Sequence, residues 1–321
     1  MTTARPIGRR RVLRILAVAA ALPFVSGAGA SVYEWRGQAL GAQARLRLVH
    51  GDGAKVRWAV AACLDEIKRL ERVFSLFDPA SELSRLNRDG RLAGASHDLR
   101  LVLAEATRMS LASGGAFDVT VQPLWRAMAR HFAAHPGAAP DRRVVDAALA
   151  RVDFHQLDID GAAVGFRQPG MAVTLNGIAQ GYITDRVAEL LRDMGFERVL
   201  VEAGEIYALS AAADSPPWTV ALAGTGRRLR LADSAVATSS GPAIVFEPSG
   251  AHHHLLDPRT GASPAHYASV SVVAGTALRA DALSTALSLL PLDAAASLLA
   301  AAGRARAIFA LADGGLREIR A

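Results

Sequence analysis

Residues 173–201 restrict the fold more than any other stretch. Residues 173–175 form a short apolar run that reads as a strand. Gly177 then opens a helix that carries Ile183, Val187, Leu190, Leu191 and Met194 on one face. Gly195 caps that helix, and residues 198–201 read as a second strand. A strand–helix–strand unit buries its helix stripe against a sheet, which argues for an α/β body.

The rest of the chain supports one such body. Ala59, Cys63, Ile67, Leu70 and Phe74 recur at helical spacing over residues 55–74, after an untidy strand near residues 45–50. Asp78-Pro79 breaks that helix and Ser81-Glu82-Leu83-Ser84 restarts a short one. Further helices are expected at 99–110, near 146–150, at 282–290 (stopped by Pro291) and at 294–302. Short strands are expected between 208 and 245, at 269–273 and at 308–311. There is no internal repeat and no low-complexity linker. The single cysteine, Cys63, falls on an apolar helix face. It excludes an intrachain disulfide and any cysteine-built zinc site.

Residues 1–30 read as an export signal, and residues 31–321 as the folded part. Arg9-Arg10-Arg11-Val12-Leu13-Arg14 is a basic start, residues 15–25 are apolar but too short to span a bilayer comfortably, and Ala28-Gly29-Ala30 is a small-residue cleavage site. The paired arginines resemble a twin-arginine signal rather than an ordinary secretory one. No cysteine follows the apolar stretch, so a lipid anchor is not expected; the processed chain is expected to be soluble and periplasmic. The leader also resolves the charge. With 36 basic against 30 acidic residues the formal charge is +6, which invites a nucleic-acid partner. Arg5, Arg9, Arg10, Arg11 and Arg14 lie in the leader with no acid, so its removal leaves +1, and no nucleic-acid partner is expected.

Four segments carry candidate chemistry. In Ala280-Asp281-Ala282-Leu283-Ser284-Thr285, Asp281 is expected at a helix start, with Thr285 one turn on along the same face. A carboxylate and a hydroxyl so placed suit an oxygen-seeking cation such as Mg²⁺; a capping aspartate and a packed threonine are the plainer alternative. Gly177-Ile178-Ala179-Gln180-Gly181 is a glycine turn into a helix that could approach a phosphate, but it is neither a Walker loop nor a dinucleotide fingerprint. Gly114-Gly115-Ala116-Phe117-Asp118-Val119-Thr120 places an acid after a double glycine. His252-His253-His254 precedes the turn Asp257-Pro258-Arg259-Thr260-Gly261; three successive histidines cannot all face one site, so one functional and two solvated histidines are expected.

Taken in order, these segments resemble the family of FAD:protein FMN transferases. The resemblance covers about residues 38–300. It rests on Phe74-Ser75 with residues 81–87, Gly115 to Thr120 with Pro123-Leu124, residues 175–185, Ala237-Thr238-Ser239, residues 254–261 and residues 281–285. It implies an α+β (mixed α/β) composite fold with mixed sheets packed by helices. It also implies that a threonine of an acceptor flavoprotein attacks the FMN phosphorus of FAD, that AMP leaves, and that Mg²⁺ neutralises the phosphates. Carried over by motif, Asp281, Thr285 and the backbone carbonyl of Ala179 hold the metal. Ala116, Phe117, Asp118, Gly177, Gln180, Gly181 and His254 line the FAD site, and His254 is the candidate catalytic residue. The acceptor is expected in a membrane redox complex.

The chain departs from the family pattern at three places. Gln180 stands where the family usually has lysine, Glu202-Ala203-Gly204-Glu205 stands where an asparagine, a small residue and two glycines are usual, and Leu40-Gly41-Ala42 replaces an early Met-Gly-Thr. FAD hydrolysis to FMN and AMP, and non-catalytic FAD binding, are the alternative activities.

Overall fold

The computed structural model describes residues 31–39, 42–210 and 215–321; the leader and the Leu40-Gly41 positions lie outside them. In chain order the elements are β1 (Ser31–Ala39), β2 (Ala42–His50), α1 (Gly53–Phe74), α2 (Glu82–Asp89), β3 (Arg91–Leu92), α3 (His97–Ala112), α4 (Gln122–Ala134), α5 (Arg142–Leu149), β4 (Leu157–Asp160), β5 (Ala163–Phe166), α6 (Ala179–Asp193), β6 (Arg198–Ala203), β7 (Ile206–Ser210), β8 (Trp218–Ala221), β9 (Arg228–Leu231), β10 (Ser234–Ser239), β11 (Ser269–Ala274), α7 (Ala277–Ser288), α8 (Leu292–Ala302), β12 (Arg306–Ala310) and β13 (Leu316–Arg320).

One sheet organises the chain, in the order β1-β2-β6-β7-β10-β11-β12-β13, with β3-β5-β4 and β8-β9 as small satellites. Every ladder among the described residues is antiparallel, where the motifs had implied mixed sheets. Side-chain alternation sorts the strands' residues between two faces. Val199, Val201, Tyr207, Leu209, Ala235, Ala237, Ala307 and Phe309 join the main core with the helices. Their neighbours Leu200, Ala208, Val236 and Ile308 face a second cluster closed by Trp218, Val220, Leu229 and Leu231 of the β8–β9 hairpin.

The helices are fixed by their caps and their apolar stripes. Asp52 accepts from the amides of Ala54 (2.7 Å) and Lys55 (3.2 Å), and starts α1. Its buried face, Val56 to Phe74, packs on β1, β2 and α6, with Cys63 wholly buried and its thiol pushed up to about 12 by that burial. Ser81 caps α2 through the Ser84 amide at 3.0 Å, and Gly90, at φ +73°, ends it. Leu124, Met128 and Phe132 of α4 meet Val145 and Ala148 of α5 over Leu256, in a third cluster.

Two sequence expectations change. Val173 and Leu175 are buried, but residues 173–175 form no ladder: Asn87 donates from Nδ2 to the Val173 carbonyl (2.8 Å) and accepts the Val173 amide on Oδ1 (2.7 Å), and so stands where a neighbouring strand would. The helix expected at 282–290 begins at Ala277, capped by Thr276. Asp281 therefore lies in its second turn and not at its start.

Candidate active site

Helices α6 and α7 cap each other through their own carboxylates. Ile178 precedes α6 and offers it no side-chain cap. Asp281 of α7 fills that role: its Oδ2 accepts the Gly181 amide at 3.1 Å. In return Asp185 of α6 accepts the amides of Ala277 (2.7 Å) and Leu278 (2.8 Å) at the start of α7. Orphan amides at both helix starts are thereby satisfied, and the favoured charge sits at each positive end. The contact needs glycine. A Cβ on Gly181 would lie 2.3 Å from the Ala277 carbonyl oxygen, and one on Gly177 would lie 2.9 Å from Thr285 Oγ1.

A cluster of oxygen atoms surrounds this junction. Asp281 is 4% exposed and Glu205 is 9% exposed. Burial raises the Asp281 carboxyl to about 7, with the charge of Asp185 adding to the effect and the Gly181 amide opposing it. Burial also raises Glu205 well above its ordinary value, with the charge of Asp281 next and the Thr238 amide opposing. From β10, Ser239 Oγ lies 2.8 Å from Ser284 Oγ and 3.3 Å from Thr285 Oγ1. Ser284 in turn donates to the Asp281 carbonyl at 3.0 Å.

Of the residues singled out from the sequence, Gly177, Ala179, Gln180, Gly181, Asp281 and Thr285 meet here. Ala179 is the first residue of α6, two before the amide that holds Asp281. Gln180 lies against Gly204, at φ +98°, where a Cβ would stand 2.8 Å from its Cδ. The two departures from the family pattern, at Gln180 and at 202–205, are thus in contact. Glu202 itself pairs with Arg45 across β2–β6. Glu205 belongs to the departing segment 202–205, but nothing in the motifs assigns it to the site; its burial beside Asp281 does.

The other named residues belong to two separate segments. Ala116 and Phe117 are buried. Asp118 spends its oxygens inside the protein: Oδ1 accepts from the Thr120 amide (2.7 Å) and hydroxyl (2.6 Å), and Oδ2 from the Phe154 amide (3.1 Å). The Thr174 amide, on the approach to Gly177, donates to the Val119 carbonyl at 2.8 Å, which ties this segment to the α6 start. His254 Nδ1 lies 3.1 Å from the Ile244 carbonyl, and burial lowers its pKa while the carbonyls of Ile244 and Gly241 raise it. It has no contact with Asp281 or Thr285, but Gly241 is only two residues beyond Ser239, which touches Thr285. The neighbouring histidines differ from expectation: His253 is buried, with Nε2 3.1 Å from the Pro264 carbonyl, and only His252, 3.7 Å from Glu247, is partly solvated.

Carboxylates, hydroxyls and backbone carbonyls form a hard-oxygen donor set, and two buried carboxylates with no basic partner among the described residues carry a penalty that a divalent ion removes. The donor set at this junction therefore fits a hard divalent cation such as Mg²⁺.

Fold and junction together define an α+β scaffold whose solved neighbours handle flavin. The structure superimposes on the flavin transferase ApbE from Vibrio cholerae with a TM-score of 0.78 at 26% identity, covering 90% of this chain and 97% of that one. It superimposes on the apo flavinyl transferase ApbE of Pseudomonas stutzeri with a TM-score of 0.76 at 28% identity, covering 90% and 95%. In sequence it is 32% identical over 247 residues to the FAD:protein FMN transferase of Haemophilus influenzae, across 71% of each chain. It is 31% identical over 297 residues to that of Treponema pallidum, across 79% of this chain and 80% of the relative. The ApbE family model matches residues 40–309, and the chain belongs to the ApbE family.

Proposed function

We propose that this chain is an exported, Mg²⁺-dependent FAD:protein FMN transferase that links FMN through a phosphoester to a threonine of an acceptor flavoprotein. The observation that carries this reading is the convergence of Asp281, Thr285 and the start of α6 at one junction, in a chain whose relatives bear that activity by name.

Asp281, Thr285 and the Ala179 carbonyl would hold the ion, and Gly177 lets the turn before α6 approach Thr285 closely. When bound, Mg²⁺ neutralises charge on the pyrophosphate and on the departing phosphate. The acceptor threonine oxygen forms a new bond to the FMN phosphorus, the phosphorus–oxygen bond to AMP breaks, and AMP leaves with the electron pair. The threonine proton passes to His254. Burial keeps that ring neutral and ready to accept, and the Ile244 and Gly241 carbonyls stabilise the imidazolium that forms. The acceptor belongs to a membrane redox complex, and the processed enzyme works in the periplasm.

The test incubates the protein with FAD, Mg²⁺ and an acceptor domain that bears a target threonine. Flavin fluorescence on the denatured acceptor supports transfer. Free FMN with an unlabelled acceptor overturns it in favour of hydrolysis, and intact FAD overturns it in favour of binding alone. Export is tested by fractionating cells that express the full chain; Arg9→Lys with Arg10→Lys retains the protein in the cytoplasm if the twin-arginine reading is right.

A further inference from the structure

Away from the α6–α7 junction, α4 and α5 enclose a second concavity. Leu124, Met128 and Phe132 turn one face of α4 into the local core, and Arg126 and Arg130, four residues apart, occupy another. Arg143 comes from the first turn of α5, and Arg151 follows its end. With Pro123 and Gly170, these four arginines line a cavity of about 480 Å³.

None of the four has an acidic partner among the described residues. Arg142, the neighbour on α5, takes Asp146 at 2.7 Å, and the Asp141 side chain caps α5 through the Arg143 amide at 2.8 Å. Gly170, at φ +81°, brings bare backbone against Arg151: a Cβ there would stand 3.1 Å from Nε. Arg126 is half-buried, and burial and the like charge of Arg130 both disfavour its charged form. A chain that is nearly neutral without its leader thus gathers unpaired positive charge in one hollow, which costs stability unless an anion enters.

The chemistry of the lining selects the anion. Guanidinium forks match phosphate oxygens in pairs, and both walls of this cavity carry arginines. Its volume lies in the range of small-molecule pockets, enough for one phosphate with a modest organic group. We propose that the α4–α5 cavity binds a phosphomonoester or phosphate dianion, held by Arg126 and Arg130 from one wall and Arg143 and Arg151 from the other. The proposal does not rest on the transfer reaction and shares no residue with the α6–α7 junction.

The test is isothermal titration calorimetry of the leaderless chain in EDTA at constant ionic strength, with inorganic phosphate, AMP and adenosine in turn. The expected result is that AMP binds, adenosine does not, and Arg126→Gln with Arg130→Gln weakens AMP about tenfold or more. Asp281→Asn leaves that binding in place. If phosphate binds as tightly as AMP, the phosphate group alone is recognised; if AMP binds far tighter, the physiological source is a nucleotide. Arg143→Gln with Arg151→Gln, both on the exposed wall, repeats the test if the α4 pair perturbs folding. Absence of binding by both phosphate and AMP overturns the proposal. So does binding unchanged in both arginine pairs, or AMP binding lost only in Asp281→Asn.

Discussion

The Gly181 amide donates to Asp281 Oδ2 at 3.1 Å, joining two helices whose bonded residues are 100 positions apart. This bond lets the same carboxylate cap α6 and serve as the proposed metal ligand. Asp281→Asn keeps an oxygen for the amide and removes the charge. The variant is expected to fold with a melting temperature at or above that of the parent, to lose Mn²⁺ binding measured by electron paramagnetic resonance, and to slow FMN transfer about 100-fold or more. Mn²⁺ binding at parental affinity would remove Asp281 from the metal site.

The two glycines of the junction are expected to fail in different ways. Gly181→Ala sets a Cβ against backbone, 2.3 Å from the Ala277 oxygen, so α6 and α7 must separate. A loss of about 3 kcal/mol is expected, read as a lowered urea midpoint. The three atoms nearest a Cβ on Gly177 all belong to the Thr285 side chain, which can rotate. Stability should change by less than about 1 kcal/mol, while metal affinity falls about tenfold. Equal destabilisation by both would contradict this division.

The pH dependence follows from the raised Asp281 carboxyl. Its folded-state pKa of about 7 exceeds the ordinary 3.8, so the folded state holds the proton more tightly than the unfolded chain. That contribution to metal-free stability is full below about pH 4, declines as pH rises to about 7, and is level above. Glu205, raised in the same direction, reinforces the trend. Mg²⁺ must displace the proton, so its affinity rises through the same window. Melting temperatures with and without Mg²⁺ should differ more at pH 8 than at pH 6; a constant difference would refute the coupling.

Asn87 supports the site from a distance by holding residue 173 at both ends of its peptide hydrogen bonding. Asn87→Ala leaves a buried carbonyl and amide unpaired, at a cost of about 2–4 kcal/mol. Denaturant titration should show that loss, and amide exchange at Val173 should accelerate. Asn87→Asp, which can accept but not donate, should recover only part of it.

The elements most legible in the sequence were those governed by local periodicity. The buried stripe of α1, the Gly195-ended helix α6 and the β11–α7–α8 succession all follow from spacing and breakers. What escaped depends on distant partners. Residues 173–175 have strand composition, yet a side chain 86 positions earlier takes the place of a ladder. Asp281 suggests a helix start because acids favour such positions, and it does lie at one, but at the start of α6 instead of its own helix. The extra turn of α7 does have a signal, since Thr276 is a favoured cap residue directly before Ala277, but the aspartate offers a competing boundary four residues later. Helix α4 was missed although Pro123 fits its first turn, and Glu205 became visible only once its burial beside Asp281 was known.

Cys63 gives the molecule a property independent of its chemistry. The thiol is sealed beneath the buried face of α1 and stays protonated at any physiological pH, so a thiol reagent reaches it only when that helix lifts away. Because the chain has no second cysteine, the labelling rate of the unmodified protein counts those excursions one site at a time, and the native chain carries its own clock for opening.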